Sequence, residues 1–187
     1  MLNLLRKFSQ PNIERWEAQN LIKRLTNELL KQFFKDRHEA SNSETTLIPI
    51  LRAGLPMWVE ANDYFKTHES SFISCFRIKG TSDVFINWLS QPKLERREVI
   101  LLDTVLATGK TIFEVCKKIN NPNKVSSLDV IACYTSPRAI DFLMTSDYLR
   151  NMYIGVISTS VDNAGFLVPL TNGDSGDKCF GETTNRN

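Results

Sequence analysis

The run from Val99 to Ile119, VILLDTVLATGKTIFEVCKKI, constrains this chain more than any other stretch. Val99-Ile100-Leu101-Leu102 is short, apolar and partly β-branched, the composition of a strand buried on both faces. Asp103 follows at once, and then Thr104 to Thr111, small and hydroxylated towards its end, which reads as a loop. From Thr111 a helix is expected, because Ile112, Val115, Cys116 and Ile119 recur at helical spacing on one face. Strand, acidic residue, small-residue loop and helix start together suit an enclosed phosphate, which loop N–H groups and the positive end of a helix attract. Gly109-Lys110-Thr111 looks like the end of a P-loop, but that motif needs a glycine five positions before Gly109, where Thr104 stands. The P-loop reading therefore fails.

With 187 residues the chain is expected to be a single domain with a sizeable core. A formal net charge of +2 gives no strong electrostatic footprint for nucleic acid or membrane. No apolar run approaches the roughly 18 residues of a membrane span. The N-terminal MLNLLRKFSQ lacks the apolar core and cleavage site of a secretory signal. Cys75, Cys116, Cys133 and Cys179 are widely spaced and form no CxxC pair, so neither structural zinc nor disulfides are expected. His38 and His68 sit in polar surroundings without a ligand or catalytic pattern. These features together predict a reduced, cytoplasmic chain.

Ahead of the Val99 strand, Pro11 to Phe34 is expected to be a long helix, with Ile13, Trp16, Leu21, Leu25, Leu29 and Phe33 near one face. Leu47–Leu51 reads as a buried strand despite Pro49, which is awkward in a strand paired on both sides. It ends in Arg52-Ala53-Gly54, and an arginine beside a glycine at a strand end can grip an anion bidentately. A helix is expected from Pro56 to Tyr64, a strand over Phe72–Phe76 closed by Arg77, and a flap from Ile78 to Glu98 with an edge strand at Val84–Ile86. Leu128–Tyr134 and Met152–Ile157 read as strands, separated by a short helix over Pro137–Met144 with proline in its first turn. Strands alternating with helices predict an α/β fold, a parallel sheet flanked by helices, whose ligands bind beyond the carboxyl ends of the strands. Arg52, Arg77 and Asp103 all fall at such ends. The remaining tail, Ser160 to Lys178, is rich in glycine and aspartate and reads as a ligand-contacting loop. Gly173-Asp174-Ser175-Gly176 looks like a trypsin-like nucleophile segment, but the parallel α/β pattern contradicts that fold.

Three of these segments, in order, resemble the uracil phosphoribosyltransferases. Pro49 to Leu55 resembles that family's pyrophosphate loop. Asp103 with Leu106-Ala107-Thr108-Gly109 resembles its phosphoribosyl-pyrophosphate (PRPP) signature. Gly165 to Pro169, then Gly173 to Lys178 and Phe180-Gly181, resembles its carboxyl-terminal uracil segment. The resemblance implies one phosphoribosyltransferase-like domain over 1–187: an N-terminal helix at 11–34, a PRPP-binding core over about 46–157 and a base-binding tail at 158–187. It implies that Arg52 with Ala53 and Gly54, together with Arg77, hold the pyrophosphate. Asp103 would take the ribose hydroxyls, and Ala107, Thr108, Gly109, Lys110 and Thr111 would wrap the 5′-phosphate. Leu167, Gly173, Asp174 and Ser175 would read the base edge, with Asp174 near PRPP as well, so that Asp103, Arg52 and Asp174 form the catalytic set. Mg²⁺ is implied as carried by PRPP, with no metal site of the protein's own.

The implied activity is transfer of the 5-phosphoribosyl group from PRPP to uracil or a related pyrimidine, giving UMP and pyrophosphate, in a homodimer or higher homo-oligomer. Partners are thus small molecules, with no nucleic acid and no membrane. The chain departs from the family at three places. Gly109-Lys110 stands where two glycines are usual, and Thr104 where a proline follows the acidic residue. Pro169 to Ser175 is one residue longer than the usual Pro-Gly-Leu-Gly-Asp-Ala and ends in serine. A transferase for another heterocycle, or a non-catalytic PRPP sensor or RNA-binding attenuator, are the alternatives that these departures leave open.

Overall fold

The computed structural model describes residues 1–37, 44–65, 68–77, 84–90, 94–119, 125–157, 160–161, 167–168 and 173–182. Two helices come first, α1 (Leu2–Phe8) and α2 (Arg15–Asp36), followed by β1 (Thr45–Leu51), α3 (Leu55–Ala61), β2 (His68–Ser70), β3 (Ile73–Arg77) and β4 (Val84–Trp88). Then come β5 (Arg97–Leu106), α4 (Lys110–Ile119), β6 (Val125–Thr135), α5 (Pro137–Met144), β7 (Asn151–Ile157), β8 (Ser160–Val161), β9 (Leu167–Val168) and α6 (Ser175–Phe180). The main sheet runs β4-β3-β1-β5-β6-β7, with β2 also pairing β1. Every pairing in it is parallel except β3 with β4, which is antiparallel at the edge. The α/β architecture is therefore as expected, a mostly parallel sheet flanked by helices.

The alternation of side chains along each strand divides the core in two. Ile100 and Leu102 of β5 and Ile131 and Cys133 of β6 pack with Leu21, Ile22, Leu25 and Phe33 of α2, Met57 of α3 and Cys179 of α6. Val99 and Leu101, with Leu128, Val130 and Ala132, face the other way onto Ile112, Val115 and Cys116 of α4 and Ala139 and Leu143 of α5. A sheet covered on both faces needs strands that are apolar throughout, which is why β5 and β6 read as continuous hydrophobic runs. Pro49 fits because β2 pairs β1 at residues 45–47 and β3 pairs it at 50–51 on the same side. Its missing N–H falls in the break between them.

Several elements differ from expectation. Helix α1 was not anticipated; seven residues give too little periodicity, yet Leu5 and Phe8 are fully buried. Helix α2 starts at Arg15 rather than Pro11, and Trp16, placed on the apolar stripe by spacing, is 65% exposed. Strand β5 continues through Asp103, Thr104 and Val105 to Leu106, because these residues stay paired with β6, so the expected Thr104–Thr111 loop shrinks to Ala107–Gly109 and the helix begins at Lys110. Helix α3 ends at Ala61, short of Tyr64. The tail contains a short hairpin and helix α6 in place of a continuous loop. Of the expected flap from Ile78 to Glu98, residues 78–83 and 91–93 lie outside the described residues, Val84–Trp88 forms β4, and β5 already begins at Arg97.

Candidate active site

Strands β1 and β5 are neighbours, and their following helices lie on opposite faces of the sheet, α3 with the α2 layer and α4 with α5. This is a topological switch point, where the chain leaving two adjacent strands parts and opens a crevice at their carboxyl ends. Arg52-Ala53-Gly54 forms one wall and Ala107-Thr108-Gly109 the other. Thr104 ties the walls together: its buried hydroxyl donates to the Ala53 carbonyl at 2.7 Å.

The β1 wall is held by close backbone packing. Gly54 N–H donates to the Ile50 carbonyl at 2.8 Å, and a Cβ on Gly54 would lie 2.4 Å from the Leu102 oxygen and 2.8 Å from that of Ile50. Only glycine fits there. The Leu51–Arg52 peptide is cis. Arg52 points its half-buried guanidinium across the crevice to the tail, with Nη2 2.5 Å from Asp177 Oδ1 and Nη1 donating to the Gly181 carbonyl at 2.8 Å.

The β5 wall is pinned from behind by the start of α5. Ser136 Oγ accepts the Ala139 N–H at 3.0 Å as the helix cap and donates to the Ala107 carbonyl at 2.6 Å. Thr135 Oγ1 donates to the Leu106 carbonyl at 2.9 Å. Gly109 adopts φ +76°, a region that favours glycine, and a Cβ there would come within 3.2 Å of α5 at Leu143 and Ala139. Helix α4 then opens with Lys110 and Thr111 and has no acidic residue in its first turn. A lysine there is disfavoured by the helix dipole unless an anion is close by. Its side chain is exposed.

Asp103 lies behind this wall, 8% exposed. Burial pushes its carboxyl up to about 7, against the pull of the Val105 and Thr104 N–H groups, and the charge of Asp174 raises it further. The Asp174 side chain caps α6, accepting the Asp177 N–H at 3.0 Å, and Gly173 before it turns the chain at φ +93°. Ser175 is buried with its hydroxyl 2.6 Å from that of Tyr134 on β6.

The structure thus brings Arg52, Ala53, Gly54, Asp103, Ala107–Gly109, Asp174 and Ser175 to one end of the sheet. Leu167 lies in the β8–β9 hairpin opposite Val161, and Arg77 closes β3; the side chains of both lie outside the described residues, as does the lengthened loop at 169–172. Thr104, Ser136, Tyr134 and Asp177 were not singled out from the sequence. Ser136 carried a usable signal, a serine directly before the proline that opens a helix. Tyr134 sits within an apolar strand and carried none, and Thr104 reads from the sequence as the first residue of a loop.

The uracil phosphoribosyltransferase family model matches residues 20–182. Among curated proteins, uracil phosphoribosyltransferase of Porphyromonas gingivalis is 27% identical over 143 residues, 74% of this chain and 66% of that protein. The chloroplastic enzyme of Arabidopsis thaliana is 30% identical over 74% of this chain and 47% of its own length. That of Mycoplasma genitalium is 26% identical over 89% of this chain and 80% of its own. The chain therefore spans just under two thirds of the P. gingivalis protein and about half of the plant one. Among solved structures, the AQ2163 protein of Aquifex aeolicus superposes with a TM-score of 0.85 at 19% identity, covering 97% of this chain and 94% of that one. A hypoxanthine phosphoribosyltransferase of Staphylococcus aureus superposes with a TM-score of 0.57 at 18% identity, covering 76% of each chain. The structural likenesses establish the type of fold, and the family match, over most of the sequence, is more specific: this chain belongs to the uracil phosphoribosyltransferase family.

Proposed function

We propose that this protein transfers the 5-phosphoribosyl group of PRPP to uracil or a closely related pyrimidine, giving UMP and pyrophosphate. The observation that carries the reading is the crevice at the β1–β5 switch point, with two glycine-bearing loops joined by the Thr104–Ala53 hydrogen bond and a buried carboxylate behind them. A phosphate and a pyrophosphate attached to one sugar need two such anion-accepting walls a ribose apart.

In this reading the N–H groups of 107–111 wrap the 5′-phosphate, Lys110 adds positive charge, and Asp103 accepts hydrogen bonds from the ribose hydroxyls. Arg52, Ala53, Gly54 and Arg77 hold the pyrophosphate, so developing negative charge on the leaving group meets fixed donors while the ribose C1 becomes cationic. Arg52 would divide its donors between pyrophosphate and the tail. The base is read by backbone groups at 173–175 and by Leu167, and an unpaired buried donor or acceptor discriminates against the wrong ring edge. No group of three or more His, Cys, Asp or Glu gathers among the described residues. In this reading Mg²⁺ is carried by pyrophosphate oxygens, with Asp174 as the carboxylate that would face it. The ion would supply charge neutralisation to the departing pyrophosphate.

The four cysteines are free and three are buried, which accords with a reducing compartment such as the cytoplasm. No helix among the described residues is long and apolar enough to cross a membrane. Self-association is part of the reading; Phe76 and Phe85 stack at 4.8 Å on the sheet edge and are half exposed, an apolar patch a second copy would cover. The test is pyrophosphate release from PRPP by purified protein with Mg²⁺ and a panel of bases. Turnover with uracil is expected, and turnover with no base would overturn the proposal.

A further inference from the structure

We infer that Tyr134 is a specificity-determining positioning residue, which sets the base-reading backbone at 173–175 through its buried hydrogen bond to Ser175. This rests on the transferase reading above and concerns which residue outside the crevice fixes the pocket. Helix α6 is anchored at its far half by several contacts. Arg52 holds Asp177 and the Gly181 carbonyl, Gln19 donates to the Cys179 carbonyl at 2.8 Å, and Lys178 donates to the carbonyls of Phe8 and Gln10 at 3.0 and 3.2 Å. Cys179 is fully buried against α2 and the sheet.

The near end, where Gly173 and Asp174 enter the pocket, is joined to the sheet by a different contact. The Tyr134 hydroxyl lies 2.6 Å from Ser175 Oγ, both side chains being buried. Tyr134 is itself fixed, fully buried on β6 with its ring tilted against Phe8 at 6.2 Å. A rigid strand thereby sets the height of the helix start. The Ser175 hydroxyl is also spent on the protein, so this serine offers the base its backbone and leaves the reading of the ring to main-chain groups.

Loss of a neutral hydrogen bond of this kind is worth roughly a 2–10-fold change in an equilibrium. Because the far half of α6 keeps its anchors and neither phosphate wall touches this contact, the change should fall more heavily on the base than on PRPP, which is held mainly by Arg52–Gly54 and 107–111. Tyr134→Phe removes only the hydroxyl and Ser175→Ala only its partner. Steady-state kinetics with uracil and PRPP should show KM for uracil raised about 5-fold in each. KM for PRPP should stay within about 2-fold, and the double variant should be no worse than the poorer single one, as expected for a shared contact. Hydrogen exchange of the same proteins without substrate should show faster exchange at 175–178, with β5 and β6 unchanged.

If Tyr134→Phe leaves KM for uracil and the exchange at 175–178 as in the wild type, the inference is wrong while the transferase reading stands. If KM for both substrates rises in proportion, the role is structural and the inference also fails. Should wild-type protein turn over no base, the transferase reading falls and with it the specificity role. Ser175→Ala, which leaves Tyr134 and its packing on Phe8 intact, supplies the same readouts should Tyr134→Phe not fold.

Discussion

The two halves of the crevice are built in different ways. The phosphate half, Arg52–Gly54 and Asp103–Gly109, is made from the ends of two paired central strands, and its geometry is dictated by backbone packing: Gly54 against Leu102 and Ile50, Gly109 against α5. The base half, Gly173–Gly181, belongs to no strand of the main sheet and is hung on side chains: Arg52, Gln19, Lys178 and Tyr134. A wall of the first kind cannot be re-tuned without disturbing the core. A wall of the second kind can be moved one contact at a time, which suits the part that must choose among bases. Of the departures from the family pattern, the added residue lies in the base loop, while Thr104 and Lys110 are single replacements in the phosphate half that leave its length unchanged.

The comparison breaks most sharply at Asp103. Asp103→Asn removes the carboxylate expected at the ribose and should lower turnover by about 100-fold. Ionising Asp103 opposes folding, because its folded-state value lies near 7, above the 3.8 of an unburied group. Its contribution to stability is therefore complete below about pH 4 and declines until the pH passes about 7. Thermal unfolding should show Asp103→Asn gaining on the wild type between pH 5 and pH 8. The kcat/KM for PRPP of the wild type should rise with pH through about 7 as the acceptor ionises. An unchanged pH profile together with full activity in the variant would remove Asp103 from the site.

Gly54→Ala comes next and tests whether the phosphate half is as unyielding as its packing implies. Its Cβ meets two backbone oxygens, neither of which can swing aside as a flexible side chain would. A cost of about 3 kcal/mol is expected, which lowers Tm by roughly 6–12 °C in a chain of this size. At Gly173 in the base half a Cβ would meet nothing within 4 Å, so Gly173→Ala carries the cost of its positive φ alone and should lower Tm by less.

The same division explains what was legible in the sequence. The phosphate half was readable because its glycines, Asp103 and its flanking apolar strands are local signals, with Pro137–Met144 recovered to the residue. The extent of β5 was not, because Thr104 and its neighbours look like loop residues until their pairing with β6 is known. Arg52 was recognised as an anion-binding residue, but its reach to Asp177, 125 positions away, leaves no trace in local pattern. Helix α6 was missed for a related reason: six residues with two glycines and two aspartates among and before them read as loop, and the helix is held by capping at Asp174 and by distant partners. Trp16 shows the converse error, since spacing alone puts it on the buried stripe while no element among the described residues covers it.

Arg52 and Asp177 join the halves, so separating their roles sharpens the contrast further. Arg52→Ala removes a pyrophosphate donor and an anchor of α6 together, and KM for both PRPP and the base should rise, by about 10-fold for PRPP. Asp177→Asn keeps the arginine and weakens only its hold on the tail, so KM for the base should rise by a few-fold while KM for PRPP holds or falls, the guanidinium being freer to turn to pyrophosphate. Steady-state kinetics with each substrate varied in turn measures both. A rise confined to PRPP in Asp177→Asn would mean that the ion pair serves the phosphate half alone.

The smallest effect is expected at Thr104, and its size bears on how the phosphate half holds together. Thr104→Val keeps the shape of the side chain and removes the hydroxyl that donates to the Ala53 carbonyl, leaving that carbonyl with one fewer donor in a half-buried loop. If the two walls are held chiefly by strand pairing between β1 and β5, the crevice keeps its width and KM for PRPP rises by no more than about 3-fold, the worth of one neutral hydrogen bond. KM for the base should then stay unchanged, since none of the hydrogen bonds that hold α6 involves Thr104 or Ala53. A loss of 10-fold or more would show instead that a side chain sets the spacing of the phosphate walls. The phosphate half would then be adjustable at a single residue, as the base half is at Tyr134, and the distinction between a wall fixed by backbone and one hung on side chains would fail at its centre.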